Sequence, residues 1–166
     1  MIYLSLGHGG GDGGARLDPD GKGPLPANVE NIEVTNIGKQ AQTILATQGV
    51  QIGIVPDGTL KQRTAWINNN KVEMVIELHL DSAPGASGCT LFYYAGFTQV
   101  RDAGKPLLDT YSQYSGIKSR GMKPDSSTRH GRLGIIRDTK PTAYLLELGF
   151  IQNDLETVRQ KSAIAL

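Results

Sequence analysis

The residues most suited to chemistry sit where apolar runs stop. His8 follows Leu4-Ser5-Leu6-Gly7 and opens the glycine-rich stretch Gly9-Gly10-Gly11-Asp12-Gly13-Gly14-Ala15. An imidazole at the end of a strand, with little bulk around it, suits a metal ligand that must leave room for a substrate. Only two other histidines exist, and one of them, His79, also ends a strand-like run, Val72–Leu80. Glu147 ends the last such run, Ala143–Leu148. In open parallel sheets, sites form beyond the carboxyl ends of strands, so these three residues are expected at one sheet edge.

Glu30 joins them from a helix. It falls in the first turn of a helix expected over about 29–47, within about 60° of the stripe Val34, Ile37, Ala41, Ile44 and Leu45 at 100° per residue. A carboxylate heading a buried stripe needs a positive partner, and a metal at the sheet edge would be one. Glu33, at the margin of the stripe, is expected in solvent. Two imidazoles and one carboxylate make a three-ligand zinc set with the fourth position free for water, whose pKa Zn²⁺ lowers to about 7. Glu147 could then take the water proton and pass it to a leaving amine. Each residue also has a plainer reading: a hydrogen-bonded structural histidine, a helix N-terminal carboxylate, half of a salt bridge. The case rests on convergence, since no H-E-x-x-H places two ligands on one helix. Glu77 shares a face with His79 and is either a supporting contact or half of a buried ion pair. His130, among Arg129, Gly131 and Arg132, is either a surface residue or a substrate contact.

Positioning these groups takes alternating strands and helices, which predicts an α/β fold: a single domain over 1–166 with a mostly parallel twisted sheet of about six strands, flanked by helices on both faces. The expected strands are 2–6, 50–55, 72–80, 89–94, 132–136 and 143–148. Helices are expected over 29–47 (Asn28 as N-cap, Gly49 at the end), 60–70 and 98–114, and from about Asn153. Residues 7–27 hold eight of the 21 glycines and three prolines, so a long ordered loop is expected there. Residues 120–132 read as a polar connection.

Composition removes several classes of function. Seventeen basic against sixteen acidic residues leave a net charge of +1, no bulk electrostatic case for nucleic acid or an anionic membrane. No run of eighteen apolar residues is present to span a bilayer. Cys89 is the single cysteine, so no intrachain disulfide forms, and it reads as a small buried hydrophobe. The opening Met-Ile-Tyr-Leu-Ser-Leu lacks a basic n-region and a signal-like apolar stretch.

The same residues carry a resemblance. Gly7-His8-Gly9-Gly10 with Asp12, Gly14 and Ala15, then Glu30, then Leu60-Lys61-Gln62-Arg63, then Glu77-Leu78-His79-Leu80-Asp81 occur in order. Arg120-Gly121-Met122-Lys123 and Lys140-Pro141-Thr142-Ala143 follow, leading into Glu147-Leu148-Gly149-Phe150-Ile151-Gln152-Asn153. In this the chain resembles the zinc-dependent N-acetylmuramoyl-L-alanine amidases of the type 3 family, which include bacteriophage endolysin catalytic domains. The resemblance implies a mixed six-stranded sheet flanked by helices, with His8, Glu30 and His79 binding Zn²⁺ and Glu147 as the catalytic carboxylate. It also implies peptidoglycan as substrate, cut between the lactyl group of N-acetylmuramic acid and the L-alanine of the stem peptide.

Three departures stand out. The family often has an aspartate where this chain has Ser5, so a contact to the first histidine is either missing or replaced. The loop 16–27 is long and rich in glycine and proline. The chain stops at Leu166 within an expected helix, with no wall-binding module after it. The expectation is therefore a monomer made in the cytoplasm that acts on the bacterial wall, as a phage lysis enzyme or an effector, or as part of a larger secreted protein. Two alternatives differ in kind: a non-catalytic wall-binding or injection-apparatus module that retains the fold, and a zinc hydrolase of another small amide.

Overall fold

The fold is seen in a computed structural model that describes residues 1–15 and 29–166. The expected Asn28 cap and the loop 16–27 lie outside the described residues. The elements run β1 (Ile2–Leu6), α1 (Val29–Thr47), β2 (Gly53–Ile54), α2 (Leu60–Asn69), β3 (Met74–Asp81), β4 (Cys89–Tyr93), α3 (Thr98–Ser115), β5 (Ser119–Pro124), α4 (Gly134–Arg137), β6 (Thr142–Phe150) and α5 (Leu155–Ala165). One six-stranded sheet has the order β2-β1-β3-β6-β4-β5. The first four strands in that order are mutually parallel, β4 meets β6 antiparallel, and β4 meets β5 in parallel.

The period of two along each strand divides the core. Leu4, Ile76, Leu78, Leu80, Leu146 and Leu148 face one way and pack with Val34, Ile37 and Ala41 of α1, Leu108 and Tyr111 of α3, and Val158 of α5. Val75, Ala143 and Leu145 face the other way and pack with Ile67 of α2 and Ile135 and Ile136 of α4. The sheet is thus covered on both faces, heavily by three long helices and lightly by two short ones. The light face carries the odd-numbered positions Glu77, His79 and Glu147.

Four local expectations change. The predicted strand 132–136 is instead the single helical turn α4, because Ile135 and Ile136 are needed as a lid over Leu145 and Ala143. A short apolar run has no period long enough to separate the two outcomes. The supposed polar connection contains β5, an edge strand whose pairing with β4 passes from Cys89↔Ser119 to Leu91↔Met122, with the extra residue absorbed where Gly121 takes φ 87°. Glu33 is buried, not solvated, and its carboxylate takes two hydrogen bonds from the Arg159 guanidinium at 3.1 and 2.5 Å. β3 and β6 also run on beyond His79 and Glu147, to Asp81 and Phe150.

Cys89 is buried, its thiol pushed up to about 11 by burial, as expected of an inert packing residue.

A second buried acid, Asp154, fastens the turn after β6. Its carboxylate accepts from the backbone N–H of Phe150 at 2.8 Å and of Gly88 at 2.9 Å, and from the Ser87 hydroxyl at 2.6 Å. This ties the β3–β4 connection to the start of α5. Asp154→Ala should leave those buried N–H groups unpaired and lower the unfolding free energy by about 2–4 kcal/mol in urea titrations. A loss under about 1 kcal/mol would mean that the loop finds other partners.

Candidate metal centre

The route to the site begins where β1 stops. Gly7 lies against the carbonyl of Leu78 and the ring of His79, so any Cβ there would strike both. His8 adopts φ 58°, a left-handed conformation that costs energy for a residue with a side chain. The turn is closed by reciprocal backbone hydrogen bonds of 3.1 Å between Gly9 and Asp12. That closure brings Asp12 Oδ2 to 2.8 Å from His8 Nδ1. From the first turn of α1, the Asn31 amide donates to the carbonyls of Gly7 and His8 at 3.1 and 3.0 Å, pinning the strained residue.

Glu30 is 2% exposed and its carboxylate is the meeting point. Oε2 accepts from the backbone N–H of Ala15 at 2.5 Å, and Oε1 from that of Leu80 at 3.0 Å. Oε1 also lies 2.9 Å from His79 Nδ1 and 3.1 Å from His8 Nε2. The expected strands and helix therefore do bring His8, Glu30 and His79 together, with one ligand atom from each within 4.8 Å of the others.

The donor set fits a divalent cation. Each imidazole turns one nitrogen toward Glu30 and the other toward a second carboxylate: Asp12 for His8, and Glu77 Oε1 at 3.0 Å for His79. With those outer nitrogens donating, both rings are neutral and present lone pairs to the same point, the arrangement found around protein-bound zinc. In the protein alone, protons take over the neutralising role. Burial works against the imidazolium of His79, but Glu30 and Glu77 outweigh it and hold its pKa well above the ordinary value. His8 is raised in the same sense, burial being outweighed by Glu30. Burial would raise Glu30, yet its hydrogen bonds from His79 and His8 hold it well below the usual carboxylate range.

Glu147 stands beside this cluster, since β6 pairs it directly with His79. Immediately afterwards the register slips, to Asp81↔Phe150, so β6 carries one extra residue there. Bulges of this kind re-aim side chains next to active sites. Glu147 Oε2 is buried and has no hydrogen-bond partner among the described residues. Burial pushes its carboxyl up to about 8, with His79 pulling partly back; a cation nearby would lower it further. A half-buried carboxylate with one buried oxygen that has no partner among the described residues, set beside His79, is equipped to exchange protons.

The lightly covered face opens next to the cluster into a cavity of about 570 Å³. Leu145 forms part of its floor, Thr59, Leu60 and Arg63 one wall, and Leu133 to Ile135 the other, with His130 and Arg132 at the rim. His130 is thus placed on the cavity, with its Nε2 accepting from Arg129 Nε at 3.2 Å. Ser5 does not touch either histidine; its hydroxyl goes to Glu77, and Asp12 supplies the carboxylate that His8 needs. Asp12 was visible in the sequence as an acid four residues after His8 in the same glycine loop. Arg63 was marked only as part of the Leu60–Arg63 stretch of the family resemblance, and Asn31 carried no comparable signal.

Comparison with known proteins agrees with this geometry. The model of the N-acetylmuramoyl-L-alanine amidase family (Amidase 3) matches residues 2–164. The germination-specific N-acetylmuramoyl-L-alanine amidase of Bacillus subtilis (strain 168) is 29% identical over a stretch covering 94% of this chain and 69% of that protein. The endolysin of Bacillus phage SPP1 is 27% identical, with 97% of this chain and 58% of that protein covered. The probable cell wall amidase LytH of Staphylococcus saprophyticus is also 27% identical, over 92% of this chain but only 48% of its own length. The chain therefore spans between 48% and 69% of these relatives. Among solved structures, the N-acetylmuramoyl-L-alanine amidase from Clostridium difficile 630 superposes with a TM-score of 0.76 at 20% identity, covering 99% of this chain and 90% of that one. The amidase AmiC2 of Nostoc punctiforme gives 0.73 at 24% identity, covering 99% and 91%. A match from the first strand to the last helix, over a shared fold, leads to one assignment: this chain belongs to the N-acetylmuramoyl-L-alanine amidase family, enzymes of peptidoglycan hydrolysis.

Proposed function

We propose that this chain is the catalytic unit of a zinc-dependent amidase that cleaves the bond between the lactyl group of N-acetylmuramic acid and the L-alanine of the stem peptide. The observation that carries this reading is the convergence of His8 Nε2, His79 Nδ1 and the Glu30 carboxylate, with ligand atoms within 4.8 Å of one another. His8, His79 and Glu30 would hold the ion. Zn²⁺ bound there would supply Lewis acidity, lowering the pKa of water and polarising the substrate carbonyl.

The chain's own residues divide the remaining work. The Glu147 carboxylate accepts a proton from the attacking water and delivers it to the departing amide nitrogen as the C–N bond breaks. Asp12 keeps the His8 ring in the tautomer that ligation needs. Leu145, Leu60 and Ile135 line the cavity next to the ligands and exclude water from one side of the reacting amide. The presence of all three candidate ligands, and of a Glu147 oxygen with no partner among the described residues, gives no support to a non-catalytic module.

The site of action we propose is the bacterial cell wall, reached from the cytoplasm as a lysis enzyme or effector, or as part of a larger secreted protein. The names of the endolysin and cell wall amidase relatives support that setting, and among the described residues no helix is long and apolar enough to cross a membrane. A monomer is the proposed state, because the exposed large apolar side chains, Ile32, Phe97, Tyr114 and Ile164 among them, come from separate elements.

Glu147→Gln should retain zinc in elemental analysis while releasing new L-alanine amino termini from purified walls about 10²–10⁴-fold more slowly. His79→Ala should lose both zinc and release. Normal release by the Glu147 variant would rule out the proposed proton transfer.

Zinc binding should also expel protons. Glu30 and Glu77 outweigh burial and hold the pKa of His79 well above its ordinary value in the protein alone, and Glu30 raises that of His8, so protons held on these rings must leave on ligation. Affinity should therefore fall as the pH drops from 8 to 6. Calorimetry at pH 7 in two buffers of different ionisation enthalpy should show net proton release, and equal heats in the two buffers would contradict it.

A further inference from the structure

Behind His79 lies a buried polar group with no place in the proposed reaction. β1 and β3 set Ser5 directly opposite Glu77, and both are buried, at 0% and 3% exposure. Arg63 enters from α2, itself 6% exposed. Its Nη1 donates to the Leu6 carbonyl at 2.7 Å and to Ser5 Oγ at 3.2 Å, and lies 3.0 Å from Glu77 Oε2. The Ser5 hydroxyl donates to the same Oε2 at 2.7 Å. One oxygen of Glu77 is thus occupied by Arg63 and Ser5, which leaves the other, Oε1, aimed at His79 Nε2 at 3.0 Å.

A buried ion pair is a poor source of stability, because desolvating two charges offsets most of their attraction. Apolar residues of equal volume would fill this space at lower cost. The geometry supplies a different reason for keeping it. An imidazole ligates through one nitrogen only when the other is a fixed donor, and an acceptor that rotates freely would let the ring turn. Here the acceptor cannot rotate, since Arg63 and Ser5 clamp its far oxygen. Arg63 also grips the carbonyl two residues before His8, so one guanidinium ties together the ends of both histidine-bearing strands.

We propose that Glu77 is a positioning residue of the metal centre, fixing His79 as the Nε2–H tautomer with Nδ1 turned to the ion, and that Arg63 and Ser5 serve to immobilise Glu77. This rests on the zinc reading above. The competing role is simple neutralisation of the Arg63 charge, and the strand register separates the two. In the exchange variant Ser5→Asp/Glu77→Ser, a carboxylate still faces Arg63 from the neighbouring strand, but the acceptor at His79 is gone. Glu77→Gln makes the opposite change: an amide oxygen can still accept from His79 while the charge is lost.

The test is zinc affinity by competition with a chromophoric chelator, alongside thermal unfolding of the metal-free proteins and the ¹⁵N imidazole spectrum of the zinc-loaded ones. For the exchange variant we expect an unfolding temperature close to that of the native protein, a zinc affinity about 10–100-fold weaker, and a His79 spectrum that no longer shows a single Nε2–H tautomer. For Glu77→Gln we expect a loss of about 10-fold or less, with the tautomer retained. Native zinc affinity and an unchanged His79 spectrum in the exchange variant would overturn the positioning role in favour of charge neutralisation. If the exchange variant does not fold, Glu77→Gln decides: a loss larger than 100-fold with an unchanged tautomer would overturn the proposal. Native protein that binds no zinc would overturn the zinc reading itself, and this inference with it.

Discussion

A carboxylate at 2% exposure stays ionised only if positive charge or donors surround it, and Glu30 organises the site on that condition. Its two oxygens draw in the backbone N–H groups of Ala15 and Leu80 and the facing nitrogens of His8 and His79. Those partners come from the loop after β1 and from β3, while Glu30 itself comes from α1, so the demand of one charge holds three segments at a common point. A divalent cation satisfies the same demand with two elementary charges at once. A cation bound there would make metal binding and the local fold one interaction, and without it the burden falls on protons on the histidines.

The two faces of the sheet are built for different ends. Three long helices bury the even-numbered leucines and isoleucines and provide most of the apolar contact. Among the described residues, the other face has only α2 and the single turn α4, which leaves the cavity open beside Glu77, His79 and Leu145. Polar and ionisable groups occupy the thinly covered face because substrate must reach it. The bulge in β6 just past Glu147, the left-handed backbone at His8 and the partnerless Glu147 oxygen all lie within this region. Such strained or unsatisfied features are retained where the surrounding structure over-determines them and where chemistry uses them.

Three carboxylates serve two imidazoles at this centre. Glu30 faces the point where the two rings converge, while Asp12 and Glu77 receive the outer ring nitrogens. Ser5, which departs from the usual family residue, does not leave His8 without support: Asp12, in the glycine turn, provides it, and Ser5 is redirected to Glu77.

Much of this was legible in the chain itself. Alternation along 72–80 and the 3.6-residue stripe of 29–47 announce β3 and α1 because each repeats over several periods, and apolar burial enforces such repeats. The glycine-set His8, the second histidine at a run's end and the carboxylate heading a buried stripe were readable for a related reason: each residue type is costly in its place without a partner. Short or edge elements were not legible. Leu133–Ile136 became a helical turn because the sheet face beneath it needed a lid, and Ser119–Pro124 became a strand because β4 offered an open edge. Burial of Glu33 likewise depended on Arg159, 126 positions away. The linking of Ser5, Arg63 and Glu77 is of the same kind: each could be noted in its own segment, but only the folding of α2 across the β1–β3 pair turns them into a clamp. Local periodicity and the cost of burying charge operate within a few residues and can be read along the chain. Contacts between distant segments depend on which surfaces meet, and that is decided only when the whole sheet is assembled.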